Sequence, residues 1–153
     1  MKNYIKLFEQ FLNEAKYNSW VIPSDKALAQ EYRVEHDLKG LNIWPSLKDF
    51  IDATKNAKVV EIDKKMDKEI SYRSNTKDFD SLHNLIKGYR SYPKYRNENT
   101  LKNLYKRLGN NKPLDHPIVI KRKNGSMRIF SGNTRMDVAF QMGINPKVKM
   151  IEV

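Results

Sequence analysis

The chain has 153 residues, with 29 Lys and Arg against 18 Asp and Glu, a formal charge of +11 and no Cys. That length accommodates one domain with an ordinary core, or a small domain with extensions. The lack of Cys excludes disulfides, thiolate nucleophiles and Cys–zinc sites, and no apolar run approaches the roughly 18–20 residues of a membrane span.

In chain order, "MKNYIKLFEQFLNEAKY" repeats Tyr4, Ile5, Phe8, Phe11 and Leu12 at spacings of three and four, which predicts an amphipathic helix. A second helix is expected after Pro23-Ser24, with Gly40 as its stop. In "WPSLKDFIDATKNA", Ser46 is placed to cap a third helix with Asp49 three residues on, and Leu47, Phe50 and Ile51 form its apolar face. "KVVEID" predicts a short strand, and 64–78 is charged and polar, a loop with some extended structure. "FDSLHNLIKGY" predicts a helix ending near Gly88. "NTLKNLYKRLGNN" predicts another, capped by Asn99 or Thr100, with Leu101, Leu104, Tyr105 and Leu108 on one face and Gly109 at its end. "HPIVIKRKNGSMRIF" predicts two strands joined at Asn124-Gly125. "NTRMDVAFQMG" then predicts a helix with Met136, Val138, Ala139 and Phe140 inward, and "PKVKMIEV" a final strand.

The charge is one-sided. Residues 1–84 hold 14 basic and 14 acidic residues, which leaves 15 basic and four acidic for residues 85–153. A basic block of this kind favours a polyanionic partner, most often nucleic acid. Within it, "GYRSYPKYR" interleaves aromatic residues with Arg90 and Arg96, a composition suited to stacking bases and holding phosphates. Lys121, Arg122 and Lys123 at the hairpin tip, with Arg128 on the next strand, are further candidate contacts to a phosphate backbone.

The most distinctive local pattern is the elbow "SGNTR". It joins a strand to a helix, and a helix N-terminus offers unpaired N–H groups and a partial positive charge to which phosphate binds. Ser131, Gly132, Asn133, Thr134 and Arg135 are the candidate phosphate-binding residues. Gly132 permits close approach to the backbone, and Arg135 supplies a charged fork.

These pieces come in a familiar order: Arg96 in a loop, the helix through Leu101 to Leu108, "PIVI" at 117–120, Asn124-Gly125, "MRIF", then "GNTR" at 132–135. The order resembles the N-terminal domain of ParB, in the ParB/sulfiredoxin superfamily. The resemblance implies an α/β (α+β) fold, a small mixed sheet with helices over 81–153, preceded by a mainly helical extension over 15–80. It also implies that nucleotide phosphates bind at the elbow. Two departures narrow what carries over. ParB partition proteins have Gly-Glu-Arg-Arg where this chain has Gly132-Asn133-Thr134-Arg135. Asn133 stands where sulfiredoxins have Cys, so sulfinic-acid rescue is excluded. Nucleases and nucleotide-using kinases of the same superfamily remain as relatives. Such chemistry needs an acid for metal binding or proton abstraction, for which Asp137, Glu98 and Asp115 are candidates, with His116 as a general base. Asp137 also reads as a first-turn acid that complements the helix dipole. His36 and His83 lack a second ligand at metal spacing, and no metal site is assigned. The cofactor expected is a nucleotide, joined by a divalent metal if there is catalysis.

Residues 1–14 carry a second resemblance, to the capsid-targeting leader of internal head proteins of T-even-like phages. Leu12-Asn13-Glu14 followed by Ala15 is similar to the processing site of such leaders. This implies cleavage between Glu14 and Ala15, and residence in the host cytoplasm or inside a phage head. Three functions are therefore expected in parallel: a phosphate-binding module for nucleic acid or a nucleotide, a nuclease or transferase, and a packaged protein with a host protein partner.

Overall fold

The run Pro117-Ile118-Val119-Ile120 offers no polar side chain to either face, and it becomes the centre of the protein. The computed structural model describes residues 17–38, 43–71 and 98–153. Seven strands lie among them: β1 (Trp20–Val21), β2 (Lys58–Glu61), β3 (Ile70–Ser71), β4 (Leu114–Asp115), β5 (Ile118–Lys121), β6 (Met127–Ser131) and β7 (Lys147–Glu152). The helices are α1 (Asp25–Tyr32, continuing as a π-helical turn, Arg33–Leu38), α2 (Leu47–Asn56), α3 (Lys64–Asp67), α4 (Glu98–Gly109) and α5 (Asn133–Gln141). The main sheet has the order β2-β7-β5-β6-β3. β7 runs parallel and β6 antiparallel to β5, β2 is antiparallel to β7, and β3 is parallel to β6. The α/β class expected from the sequence is the class observed.

Both faces of the sheet are covered, which is why β5 has no polar alternation. On one face Ile118, Ile120, Phe130 and Ile151 meet Leu28, Tyr32, Trp44 and Phe50 from α1, α2 and the segment between them. Three aromatic rings lock this layer. Phe50 lies 4.9 Å from Phe130 and 4.8 Å from Trp44, and Trp44 meets Phe130 edge to face at 5.5 Å. On the other face Val119, Ile129, Val148 and Met150 meet Met136 of α5, with Phe140 packed alongside. Leu101 and Leu108 of α4 then pack on Val138 and Ala139 of α5, with Tyr17 and Trp20.

Local sequence accounts for most element ends. Ser24, Ser46 and Asp63 cap α1, α2 and α3 by accepting from the backbone N–H three residues on. Ser46 Oγ also donates to Asp49 Oδ2 at 2.9 Å, part of the expected capping device. The hairpin turn is one residue longer than the two-residue Asn-Gly form. Gly125 N–H donates to the Arg122 carbonyl and Arg122 N–H to that of Ser126. Gly125 sits at φ +87°, the left-handed position that closes a three-residue loop.

Two expectations need correction. The mainly helical extension expected over 15–80 also supplies strands to the sheet: within residues 17–71, β2 and β3 form its two outer strands. β1 pairs with β4, and α1 and α2 supply half of one core layer. The apolar face of β5 and β6 has no other cover on that side among the described residues. Asp137 is the fifth residue of α5, and no acidic residue stands in that helix's first turn; it is therefore too far along to complement the dipole as expected. The leader with Glu14 and Ala15, the Gly40 stop, the helix before Gly88, Arg90, Arg96 and the boundary at residue 80 all lie outside the described residues.

A fragment of residues 81–153 is therefore expected to show no cooperative thermal unfolding, while the full chain does. Circular dichroism melts check this, and a sharp transition in the fragment would contradict the shared-sheet arrangement. Phe50→Ala in the full chain should cost about 3–5 kcal/mol, the usual range for emptying a buried aromatic site.

Candidate functional site

Three strand ends meet at one end of the sheet. Because β6 is antiparallel to β5 and β7 parallel to it, the start of β5, the end of β6 and the start of β7 are neighbours. Ser131 is paired with Ile118, and Lys149 N–H donates to the Pro117 carbonyl at 2.8 Å. The β5–β6 register shifts between Ile118 and Val119, so two steps along β6 are matched by one along β5. Such an irregularity re-aims the chain locally, here just before the elbow.

Gly132 is the N-cap of α5, at φ +101° and ψ 24°, a left-handed conformation. A Cβ there would lie 2.7 Å from Pro117 Cβ and 2.9 Å from both Pro117 Cα and Arg135 Nη2. The glycine is therefore demanded by the fold itself, through its backbone angle and its contact with Pro117. The other three capped helices use a side-chain oxygen; at α5 there is no side-chain cap bond. Arg135 folds back over the elbow, and its Nη2 donates to Ser131 Oγ at 3.4 Å, a long and weak bond. Ser131 and Thr134 are buried, whereas Gly132, Asn133 and Arg135 are half-buried. The guanidinium thus sits at the helix N-terminus.

His116 stands at the same end, one residue before Pro117, and is 6% exposed. Its Nδ1 is 2.6 Å from the Lys147 carbonyl. A carbonyl only accepts, so Nδ1 carries the proton, and in the neutral ring Nε2 holds the lone pair. The Trp20 ring stacks on the imidazole, with centroids 6.3 Å apart at 20°. Burial pushes the His116 pKa below its ordinary value of 6.5. The Lys147 carbonyl works against that shift, and the positive charges of Lys149, Lys147 and Arg135 reinforce it. Lys149 is itself buried, with Nζ donating to the carbonyls of Ala57 at 2.8 Å and Lys55 at 3.3 Å at the end of α2. There its charge also complements the helix C-terminus.

The remaining candidates disperse. Lys121, Arg122 and Lys123 are exposed at the hairpin tip, the opposite end of β5, about 13 Å away for four residues at roughly 3.3 Å each. Arg128 is half-buried in mid-strand, paired with Ile120 and Ser71. Asp115 is half-buried on β4, Asp137 is buried on α5, and Glu98 opens α4. Among the described residues no group of three or more His, Cys, Asp or Glu side chains is placed to hold a metal ion. Lys147, Lys149 and Trp20 belong to the neighbourhood of the elbow but carried no signal in the sequence. Only the strand register brings them there. No protein-family model, no curated protein and no solved structure matches the chain.

Two outcomes follow. Gly132→Ala should destabilise by more than the roughly 1–3 kcal/mol of backbone strain alone, because the new methyl also strikes Pro117; a near-neutral melt would contradict the close approach. For His116, a folded pKa below the unfolded one means that its stability contribution is fully present above about pH 6.5 and lost as pH falls further. The wild type should therefore lose more stability than His116→Gln on acidification from about pH 7.5 to 5.5. Parallel stability curves would contradict a buried neutral histidine.

Proposed function

We propose that this chain binds phosphate groups, those of nucleic acid or of a nucleotide, at the elbow that opens α5. One observation carries the reading: the Arg135 guanidinium lies over Gly132 at the helix N-terminus, within reach of Ser131 Oγ. A fork of N–H donors beside a helix N-terminus is a chemically matched receptor for a phosphate. The confinement of the whole net charge to residues 85–153 supports a polyanionic ligand. The ordered resemblance to the ParB N-terminal domain points the same way.

The catalytic alternative is a metal-dependent nuclease or a nucleotide-using transferase. It draws on His116, whose Nδ1 is held by a carbonyl so that Nε2 is left as a proton acceptor. That reading requires turnover of a nucleotide or of DNA that disappears in His116→Gln. The binding reading requires none.

Removal of the guanidinium by Arg135→Ala should weaken phosphate-ligand binding by about 10- to 150-fold, the equivalent of roughly 1.5–3 kcal/mol for hydrogen bonds to a charged group. Arg135→Lys keeps the charge, loses the fork and should recover only part of this. Neutralising Lys121, Arg122 and Lys123 together should spare nucleotide binding, since the hairpin tip is remote, and should flatten the salt dependence of any DNA binding. Calorimetry with a panel of nucleotides and of single- and double-stranded DNA, run beside thermal melts, gives both readouts. Unchanged affinity of a stably folded Arg135→Ala for every ligand that the wild type binds would overturn the proposal.

A further inference from the structure

We infer that the outer face of α4 is a docking surface for single-stranded nucleic acid, with Tyr105 as a stacking platform and Lys102 and Lys106 as phosphate contacts. The inference takes the nucleic-acid branch of the reading above and concerns a surface separate from the elbow.

The apolar stripe of α4 is narrow. Leu101 and Leu108 are buried against α5 and against Tyr17 and Trp20, with Leu104 packed beside them. Lys102, Asn103, Lys106 and Asn110 fall on the opposite side of the helix and are exposed. Lys102 and Lys106 stand about one turn apart, roughly 6 Å along the axis. Like charges at this spacing weaken a helix. From Asn99 to Leu114 the chain holds four cations, Lys102, Lys106, Arg107 and Lys112, and no acidic residue. The fold itself uses part of this charge. Lys106 and Arg107 lie in the last turn, where cations complement the helix dipole, and Arg107 Nη2 donates to the Pro113 carbonyl at 2.8 Å. The dipole does not extend to Lys102, which is mid-helix.

Tyr105 stands on the border between the apolar stripe and the lysines, four residues after Leu101 and three after Lys102. It is 42% exposed, and it is the one aromatic among the large apolar side chains that the described residues leave in solvent. An acidic protein would satisfy the cations and give this ring no particular role. A duplex would do the same, because its bases are stacked inside. A single strand uses both features: its phosphates meet the lysines, and an unpaired base lies on the ring. The cations therefore call for phosphate, and the exposed ring beside them selects the single strand.

Fluorescence anisotropy with a labelled oligothymidylate, added to the full chain over a range of salt, reads the two contributions separately. Tyr105→Ala should weaken binding by about 5- to 150-fold, the equivalent of the roughly 1–3 kcal/mol of one stacked base, and leave the salt slope unchanged. Tyr105→Phe should bind as the wild type does. Lys102→Gln combined with Lys106→Gln should lower the slope of log K against log salt by about 1.4, at roughly 0.7 for each phosphate neutralised. A duplex of the same length should bind more weakly and be indifferent to Tyr105→Ala. Thermal melts of these variants should match the wild type, because the side chains changed are exposed. Unchanged affinity and slope in the folded variants would overturn the surface, as would a wild type that binds no oligothymidylate at low salt. A duplex or polyglutamate that competes as well as the single strand would also overturn it. Calorimetry with ATP on the same proteins keeps the two surfaces apart: ATP binding that persists in the α4 variants and is lost in Arg135→Ala leaves the elbow reading standing even when the α4 surface fails.

Discussion

The contact between Gly132 and Pro117 is the constraint from which the arrangement of the elbow follows. A strand that ends at Ser131 must turn into a helix within one residue, while lying against the first residue before the central strand. Only a residue without a Cβ meets both demands, because a Cβ at 2.7 Å from Pro117 leaves no van der Waals space. Once that junction closes, the N-terminus of α5 is fixed over the start of β5. Arg135 is brought back over the turn, and His116 is held at its side. The sheet's core supports the junction from both faces, with the Phe50–Phe130–Trp44 cluster on one and Met136 on the other.

Much of this was legible in the sequence, for reasons that are local. Ser24 and Ser46 announce helices through capping chemistry, Asn124-Gly125 announces a hairpin through left-handed backbone, and "PIVI" announces a strand. What was not legible depends on partners distant in sequence. β1 and β4 are two residues each and exist because they pair with each other across more than ninety residues. β2 and β3 become the outer strands of the sheet only through β7 and β6, and no periodicity within 58–71 reports that. For this reason the division expected at residue 80 separates strands of one sheet.

The candidate site was legible in the same uneven way. The elbow's residues were visible as a motif, but the reason for Gly132 was not: it is the fold, rather than a ligand, that requires it. His116 reads in sequence as a lone histidine at a strand edge. Its surroundings, Trp20 from β1 and Lys147 and Lys149 from β7, are assembled by register alone. Conversely, the hairpin cluster Lys121-Arg122-Lys123 is conspicuous in sequence yet lies at the other end of the sheet. Charge density in a sequence marks a partner class, whereas the position of a site depends on which strand ends coincide.

The most direct test of the central claim is a crystal structure of the full chain soaked with an anomalously scattering oxyanion such as selenate. The account predicts an anomalous peak at the N-terminus of α5, within hydrogen-bond distance of the Arg135 guanidinium and the first-turn backbone N–H groups. A peak confined to Lys121, Arg122 and Lys123 at the hairpin tip, with the elbow of a well-ordered α5 left empty, would contradict it.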